Sequence, residues 1–395
     1  MVSGSAQGRR LVVRTVVVVR VVDVTQWFTE SFRAEFEKQA DLIGRINLAV
    51  FGKTGVGKST LVNAIFGEPV AVTGIGAPVT IGSHLYLDKR GALGVVDTRG
   101  LELGHDDDQI IKELTKAIKE SRGKPVSEQI HVAWYCIRGM DRRFEDFEER
   151  FIRTLDDLGL PVLVVLTQVP MRDGMYHPDA VELARQIEAK RLPIVGGRPF
   201  MTYAMRDQFS GQPAYGLVEV LGATFHVAPE AVRGALVAAQ AIDVELKANQ
   251  SNQAIAAAVT AAAAAAAVPI PFSSAAMLVP IQLSMMARIA QLHGLGIDKS
   301  ALLAVASTSM ATSAGRAATS SLLKFIPGAG SIVGGVINAS VASSLTLAMG
   351  QAWLVVCRRA FDKTLPGVPG RIDADAVKRL FEEELAKRLP HIRRR

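Results

Sequence analysis

The chain has 395 residues, too many for one ordinary domain and suited to two or three. Its net charge of +7 suits an anionic partner, either a phosphate-bearing ligand or an acidic membrane surface; it is too small to indicate nucleic acid or a ribosome and leaves both open. Two cysteines, Cys136 and Cys357, lack metal-type spacing and do not indicate a disulfide scaffold, which fits a reducing cytosol.

The first predicted segment is an N-terminal extension over residues 1–45. Between 23 and 43, Phe28, Phe32 and Phe36 recur every fourth residue with charged residues between them. This spacing predicts an amphipathic helix. We expect it to pack on its own protein, with a membrane or partner contact as the alternative.

Strand and helix patterns alternate over residues 46–227, the second predicted domain. The β-rich runs are INLAVFG, VTIGSHLYL, ALGVVDT, HVAWYCI, PVLVVLT and RPFMTYA, and the helical stretches are 58–66, 107–121, 142–158 and 178–190. The alternation predicts an α/β fold, a mostly parallel sheet with flanking helices. Nucleotides bind at the carboxyl ends of the strands in such sheets.

A phosphate-binding loop follows the first of these strands. The sequence GKTGVGKS matches G-x-x-x-x-G-K-[S/T] and lies between an apolar strand and a helix. Its glycines let backbone N–H groups face phosphate oxygens, Lys58 would neutralise the β- and γ-phosphates, and the Ser59 hydroxyl would bind Mg²⁺. The predicted nucleotide-binding residues of this loop are Gly52, Lys53, Thr54, Gly55, Val56, Gly57, Lys58, Ser59 and Thr60.

Further positions complete the predicted metal and γ-phosphate site. Asp97 ends an apolar strand in a D-x-x-G pattern, where it would reach Mg²⁺ through water, and the Gly100 N–H would sense the γ-phosphate. Thr80 is our candidate for a switch threonine that closes on Mg²⁺, with Thr73 as the alternative. The predicted metal ligands are therefore Ser59, Thr80 and Asp97, and the predicted catalytic residues are Lys58, Thr80 and Gly100.

These motifs resemble the Ras-like superfamily of P-loop GTPases, in the branch that includes the Era and HSR1-like proteins. The resemblance implies GTP and GDP as ligands, Mg²⁺ as cofactor and hydrolysis by in-line attack of water. The residue after D-x-x-G is Leu101, which cannot orient water as the family's frequent glutamine does. Hydrolysis would then be slow or partner-activated, or would use His105, the acidic run Asp106–Asp108 or a second protomer.

The base-reading motif departs from the family pattern. Where the family has N-K-x-D or T-K-x-D, this chain has Thr167, Gln168, Val169 and Pro170, so the carboxylate that reads guanine is missing. Gln168 would lie flat against the base, and Asp173 is close in sequence but shifted. The last base-contact loop would include Tyr203 and Ala204. Guanine specificity therefore comes from the resemblance alone.

The C-terminal part is apolar and predicted to be helical. Residues 248–287 and 325–357 carry no charged side chain, and the predicted domain 228–370 resembles the YcjF-type domain often fused to such GTPases. It would associate with a membrane, as a hairpin or as two spans, or would form a soluble alanine-rich bundle. Residues 371–395 predict a charged helix and tail.

Together these patterns predict a Mg²⁺-dependent GTP-binding switch in the cytoplasm, associated with the cytoplasmic face of the membrane. Inner-membrane lipid or a membrane protein would be its partner, and a nucleotide-dependent dimer is a further expectation. Two alternatives stay open: a membrane-associated interaction module with a mainly structural nucleotide site, and an ATP-using P-loop protein.

Overall fold

The computed structural model describes residues 24–67, 77–80, 83–98, 107–208, 211–267, 274–295, 339–365, 367–368, 371–372 and 374–389. The expectations for Thr73, Gly100, Leu101, His105 and Asp106 lie outside these residues. The strands are β1 (Ile46–Phe51), β2 (Ala77–Thr80), β3 (Ser83–Leu87), β4 (Leu93–Thr98), β5 (Val132–Arg138), β6 (Val162–Thr167), β7 (Met171–Arg172), β8 (Met175–Tyr176), β9 (Phe200–Met201), β10 (Gly367–Val368) and β11 (Arg371–Ile372).

Several helices lie close to the stretches predicted over 23–43, 58–66, 107–121 and 178–190. The described helices are α1 (Val24–Ile43), α2 (Lys58–Phe66), α3 (Asp107–Arg122), α4 (Asp146–Asp157), α5 (Pro178–Ala189), α6 (Leu217–Val227), α7 (Glu230–Ala239), α8 (Val244–Ala267), α9 (Ser274–Leu292), α10 (Ala339–Phe361) and α11 (Ala374–Arg388).

Seven of the described strands form one sheet in the order β2-β3-β4-β1-β5-β6-β9. The pairs β4-β1, β1-β5, β5-β6 and β6-β9 are parallel, whereas β3 pairs antiparallel with both β2 and β4. The central strands β1 and β6 are buried along their whole length, as expected when helices cover both faces of a sheet. The predicted α/β fold with flanking helices, followed by a helical region, is confirmed.

Two boundaries predicted from sequence are wrong. The run VTIGSHLYL is not one strand: β2 and β3 are an antiparallel pair in which Thr80 is the partner of Ser83. The helix predicted over 142–158 begins only at Asp146. Arg142 has a φ of 58°, outside the helical region, and Glu145 and Glu148 form a reciprocal capping box that sets the helix start.

Two layers of helices cover the sheet. Successive side chains along a strand point to opposite faces of the sheet. In β5, Trp134 therefore lies on one face and Tyr135 on the other. The Trp134 face packs against α2, α6 and α7, and the Tyr135 face packs against α3, α4 and α5. Helix α7 lies beyond the predicted domain boundary at residue 227, and it packs against the sheet.

The remaining helices form a second core with residues from α1, α8, α9, α10 and α11. Phe32 of α1 is buried there, and Phe36 packs against the same cluster. The prediction that this helix packs on its own protein is thereby confirmed. Among the described residues, α10 is the one helix long and apolar enough to cross a bilayer, and half of its most apolar stretch is buried within the protein. Core helices of soluble proteins share these properties, so the observation is weak support for a membrane span.

Candidate nucleotide-binding site

The phosphate-binding loop connects β1 to α2 at the carboxyl edge of the sheet. Gly52 has a φ of 131°, and a Cβ at this position would overlap the carbonyl oxygen of Cys136 in β5. Gly57 has a φ of 96° and is the N-cap of α2. Because glycine supplies no capping side chain, the N–H groups of the first helical turn depend on water or an anion. The loop thus has the geometry that phosphate requires.

Lys58 lies across the inside of this loop. Its Nζ donates hydrogen bonds to the carbonyl oxygens of Gly52 at 2.9 Å and Lys53 at 3.0 Å. The side chain is therefore positioned over the loop, with its charge where the β- and γ-phosphates of a bound nucleotide would be neutralised. Ser59 and Thr60 are exposed in the first turn of α2, which suits the predicted role of Ser59 toward Mg²⁺.

The side chain of Lys53, a predicted nucleotide-binding residue, forms ion pairs with two glutamates at the start of α4. Its Nζ lies 2.8 Å from Glu145 Oε1 and 4.0 Å from Glu148 Oε1, so it joins the loop to the N-terminus of α4. Burial opposes its charged form, but these carboxylates prevail and raise the pKa of Lys53. Burial raises the pKa of Glu148, against the effects of the Glu145 N–H and of Lys53.

The end of β6 is hydrogen-bonded to the phosphate-binding loop. Thr167 is the last residue of β6, and Gln168 follows it. The Thr167 hydroxyl donates to the carbonyl oxygen of Val56 and lies 3.2 Å from that of Ile137. Gln168 has a φ of 52°, and its Nε2 donates to the carbonyl oxygen of Gly55 at 3.1 Å. These two side chains therefore support the P-loop through hydrogen bonds to its backbone.

The segment after Gln168 forms a hairpin, β7-β8, in place of a base-reading carboxylate. Pro170 is exposed, and its carbonyl oxygen accepts a hydrogen bond from the His177 N–H at 2.9 Å. Asp173 lies in the turn of this hairpin with its side chain 82% exposed and 3.7 Å from Arg172. Asp173, the carboxylate closest in sequence to the missing one, therefore points into solvent at the tip of this hairpin.

The loop predicted to make the last base contact follows β9. Thr202 is buried, and its hydroxyl donates to the carbonyl oxygen of Leu166 at 3.0 Å. Tyr203 pairs with Tyr215 through two backbone hydrogen bonds of 3.1 and 3.0 Å. Ala204 packs against the core beside the sheet. Sequence reasoning missed Tyr215, which lies outside every motif of the site.

The predicted metal ligands can be placed only in part. In β4, Asp97 pairs with Val50 of β1, two residues before the phosphate-binding loop, and with His84 of β3. Thr80 ends β2. Their side chains lie outside the described residues. With the exposed Ser59, this backbone register puts an acidic residue and a hydroxyl at one edge of the sheet, which fits the oxygen ligands that Mg²⁺ prefers.

The match to a family model agrees with this geometry. Residues 47–168 match the family described as 50S ribosome-binding GTPase. Among solved structures, the chain is similar to one described as a probable GTP-binding protein engB, with 18% identity and a TM-score of 0.32 over 46% of this chain and 97% of that one. At that TM-score the likeness says nothing about function. No protein of curated function matches the chain.

The residues that match the family model include the P-loop, β4 and the last residues of β6. Residues 47–168 are therefore similar to P-loop GTPase domains, and guanine nucleotide is the ligand class that the matched family implies. The resemblance of residues 228–370 to a YcjF-type domain stays a prediction.

Proposed function

We propose that this protein is a Mg²⁺-dependent GTP-binding switch that hydrolyses GTP slowly or on activation by a partner. The observation that carries the proposal is the closed phosphate-binding loop, with Lys58 donating to two of its carbonyl oxygens and with Thr167 and Gln168 bonded to two more. A loop held on both sides is preorganised, so little free energy is lost in ordering it when phosphate binds.

The roles of the residues follow from their positions. Lys58 would stabilise the charge that develops on the phosphate oxygens, and the N-terminus of α2 would add its dipole. Ser59, Thr80 and Asp97 would hold Mg²⁺, which supplies charge neutralisation between the phosphates when bound. Leu101 offers no hydrogen bond to water, which supports slow intrinsic hydrolysis. A residue from a partner or a second copy of the chain would then complete the site.

The contact between the sheet and the helical region supports coupling of the two. Arg90 lies in the turn between β3 and β4, and its guanidinium occupies the space where a Cβ on Gly294 would stand. The opposite end of β4 carries Asp97. A shift of this strand with nucleotide state would therefore reach the end of α9, and through it the apolar helices that we propose to lie at the cytoplasmic face of a membrane.

A competition experiment tests the nucleotide assignment. A fluorescent GDP analogue bound to the full chain with Mg²⁺ is displaced by GTP, GDP or ATP. We expect guanine nucleotides to win by a hundredfold or more, about 2.7 kcal/mol. Phosphate release from GTP, measured with and without anionic liposomes, then tests hydrolysis and membrane coupling. Turnover that is absent under both conditions would favour the interaction module with a structural nucleotide site.

The second candidate is an ATP-using P-loop protein. Its support is the exposed Pro170 in the place of the base-reading carboxylate, together with the exposed position of Asp173. Equal displacement by ATP and GTP would establish this candidate and remove the GTPase proposal.

A further inference from the structure

The two loops predicted to contact the base, after β6 and after β9, are joined by one residue outside the predicted motifs. Tyr215 lies in the segment before α6. Its hydroxyl donates a hydrogen bond of 2.5 Å to the carbonyl oxygen of Val169, which stands between Gln168 and Pro170. Its backbone exchanges two hydrogen bonds with Tyr203 in the loop after β9. A single residue thus contacts both loops, one through its side chain and the other through its backbone.

The backbone at this point is built for close approach. Gly216, next to Tyr215, has a φ of 77°, and a Cβ there would overlap the carbonyl oxygen of Met201 in β9. The loop after β6 is also bonded directly to the loop after β9, since the Val169 N–H donates to the Thr202 carbonyl oxygen at 3.1 Å. Val169 is therefore held through its N–H by Thr202 and through its C=O by Tyr215. We call this arrangement of Val169, Thr202 and Tyr215 the frame.

An aromatic contact covers this frame from the outside. The ring of Tyr176 in β8 stacks on that of Tyr215, with centroids 5.8 Å apart and planes at 28°. Tyr176 is 40% exposed, whereas Tyr215 is half-buried. Burial raises the pKa of Tyr215, with smaller contributions from Tyr176 and Tyr203, so its hydroxyl stays protonated and able to donate at neutral pH.

We propose that Tyr215 is a positioning residue of the purine-base site. It holds the loop of Gln168 and Pro170 against the loop of Tyr203 and Ala204, so the base is accommodated between two loops of fixed separation, although the usual carboxylate is missing. The inference rests on the proposed function, since it concerns the same nucleotide. It assigns base binding to a rigid frame and phosphate binding to the P-loop, and the two are separable by experiment.

The test compares Tyr215→Phe with Tyr176→Phe in the full chain. Each variant removes one hydroxyl from the same stacked pair, but only the Tyr215 hydroxyl contacts Val169 among the described residues. The probes are GDP and inorganic tripolyphosphate, each titrated as a competitor of a fluorescent GDP analogue. We expect Tyr215→Phe to weaken GDP about tenfold, or 1.4 kcal/mol, and to leave tripolyphosphate within twofold. Tyr176→Phe should leave both within twofold.

Several outcomes would overturn the proposal. An unchanged GDP affinity in Tyr215→Phe would show that the hydroxyl does not position the base site, and an equal loss for GDP and tripolyphosphate would show a merely structural role. A wild-type chain that binds neither probe would remove the proposed function itself, and the inference with it. If Tyr215→Phe does not fold, Tyr176→Ala removes the stacked ring; we expect a loss of about threefold for GDP alone, and no such loss would contradict the proposal.

Discussion

Two lysines in different regions of the molecule make the same kind of contact. Lys58 donates to the carbonyl oxygens of Gly52 and Lys53 in the phosphate-binding loop. Lys247 of α8 donates to those of Val237 at 2.5 Å and Leu292 at 2.9 Å, with Ala238 at 3.3 Å. The carbonyl groups around Lys58 belong to a loop at the sheet edge, whereas those around Lys247 belong to the last turns of α7 and α9.

The two lysines differ in how deeply they are buried. Lys58 is partly exposed at a helix N-terminus, where an anion can approach. Lys247 is 0% exposed, and its Nζ lies 4.9 Å from the centroid of the Phe361 ring. Burial, and then the charge of Arg90, lower the pKa of Lys247 well below its usual value. Lys247 caps two helix C-termini and joins the sheet to the helical region, so the same donor supports ligand binding in one region and structure in the other.

The largest expected effect is on the buried lysine. Lys247→Ala leaves three carbonyl groups without their donor and creates a cavity, so we expect the free energy of unfolding to fall by about 3 to 5 kcal/mol. Urea unfolding measures this as a lower midpoint at constant slope. Glu245→Ala on the same helix, whose carboxylate pairs with Arg358 at the surface, is the matched control and should shift stability by less than about 0.5 kcal/mol.

If Lys247→Ala and Glu245→Ala proved equally stable, the comparison between the two lysines would fail. We also expect the folded Lys247→Ala chain at low temperature to bind GDP within about twofold of wild type. Lys58→Ala should behave in the opposite way, with nucleotide affinity lost and stability retained.

The second effect is on nucleotide affinity. Lys58→Ala removes the cation from the phosphate-binding loop, and we expect GDP and GTP affinity to fall by at least about a hundredfold, or 2.7 kcal/mol, while the unfolding midpoint changes little. Isothermal titration with Mg²⁺ measures the affinity. Lys116→Ala, an exposed lysine of α3 near Glu120, is the charge-matched control. Retained affinity in Lys58→Ala would refute the phosphate-site assignment.

The third effect is a pH dependence beside Lys247. His293 is 2% exposed, and burial, assisted by the charges of Lys247 and Arg358, lowers its pKa from 6.5 to about 4, against the effect of its hydrogen bond to Ile289. The unfolded state therefore binds more protons between these pH values, so stability falls as the pH decreases from about 6.5 to 4. Between pH 7 and 5 we expect His293 to contribute a loss of about 2 kcal/mol.

Urea unfolding at the two pH values tests this contribution. His293→Gln should remove about 2 kcal/mol of the loss, and His226→Gln, an exposed histidine on α6, should remove none. Burial also lowers the pKa of His131, so part of the acid sensitivity should persist in His293→Gln. Identical pH profiles for wild type and His293→Gln would contradict the prediction.

The smallest effect sharpens the description of the nucleotide site. Thr167→Val keeps the side-chain shape but removes the hydroxyl bonded to Val56, and we expect GDP to bind about fivefold more weakly, a loss of about 1 kcal/mol. The dissociation rate of a fluorescent GDP analogue measures the change. Thr224→Val removes another buried hydroxyl, which accepts from Trp134 Nε1 at 3.0 Å. It should lower stability without changing the GDP dissociation rate, and parallel behaviour of the two variants would count against a role for Thr167 in the site.

Much of the fold could be predicted from sequence, and so could the place of the P-loop between β1 and α2. The P-loop could be recognised because its glycines and lysine lie within eight consecutive residues, and β1 and α2 border it as predicted. The order of apolar runs and amphipathic stretches likewise predicted the α/β fold. By contrast, the antiparallel return at Thr80 and Ser83 depends on pairing between strands, which a local apolar run does not encode.

The sequence by itself determined that this protein has a P-loop sequence motif in an α/β fold, followed by a helical region with long uncharged stretches. Only the tertiary structure decided that Thr167 and Gln168 support the loop, that Tyr215 joins the loops after β6 and β9, and that Lys247 joins two helix ends. The physical reason is separation along the chain: Tyr215 and Val169 are 46 residues apart, and Lys247 and Leu292 are 45 apart. Such contacts arise from the packing of distant elements, and no local pattern of residue types specifies them.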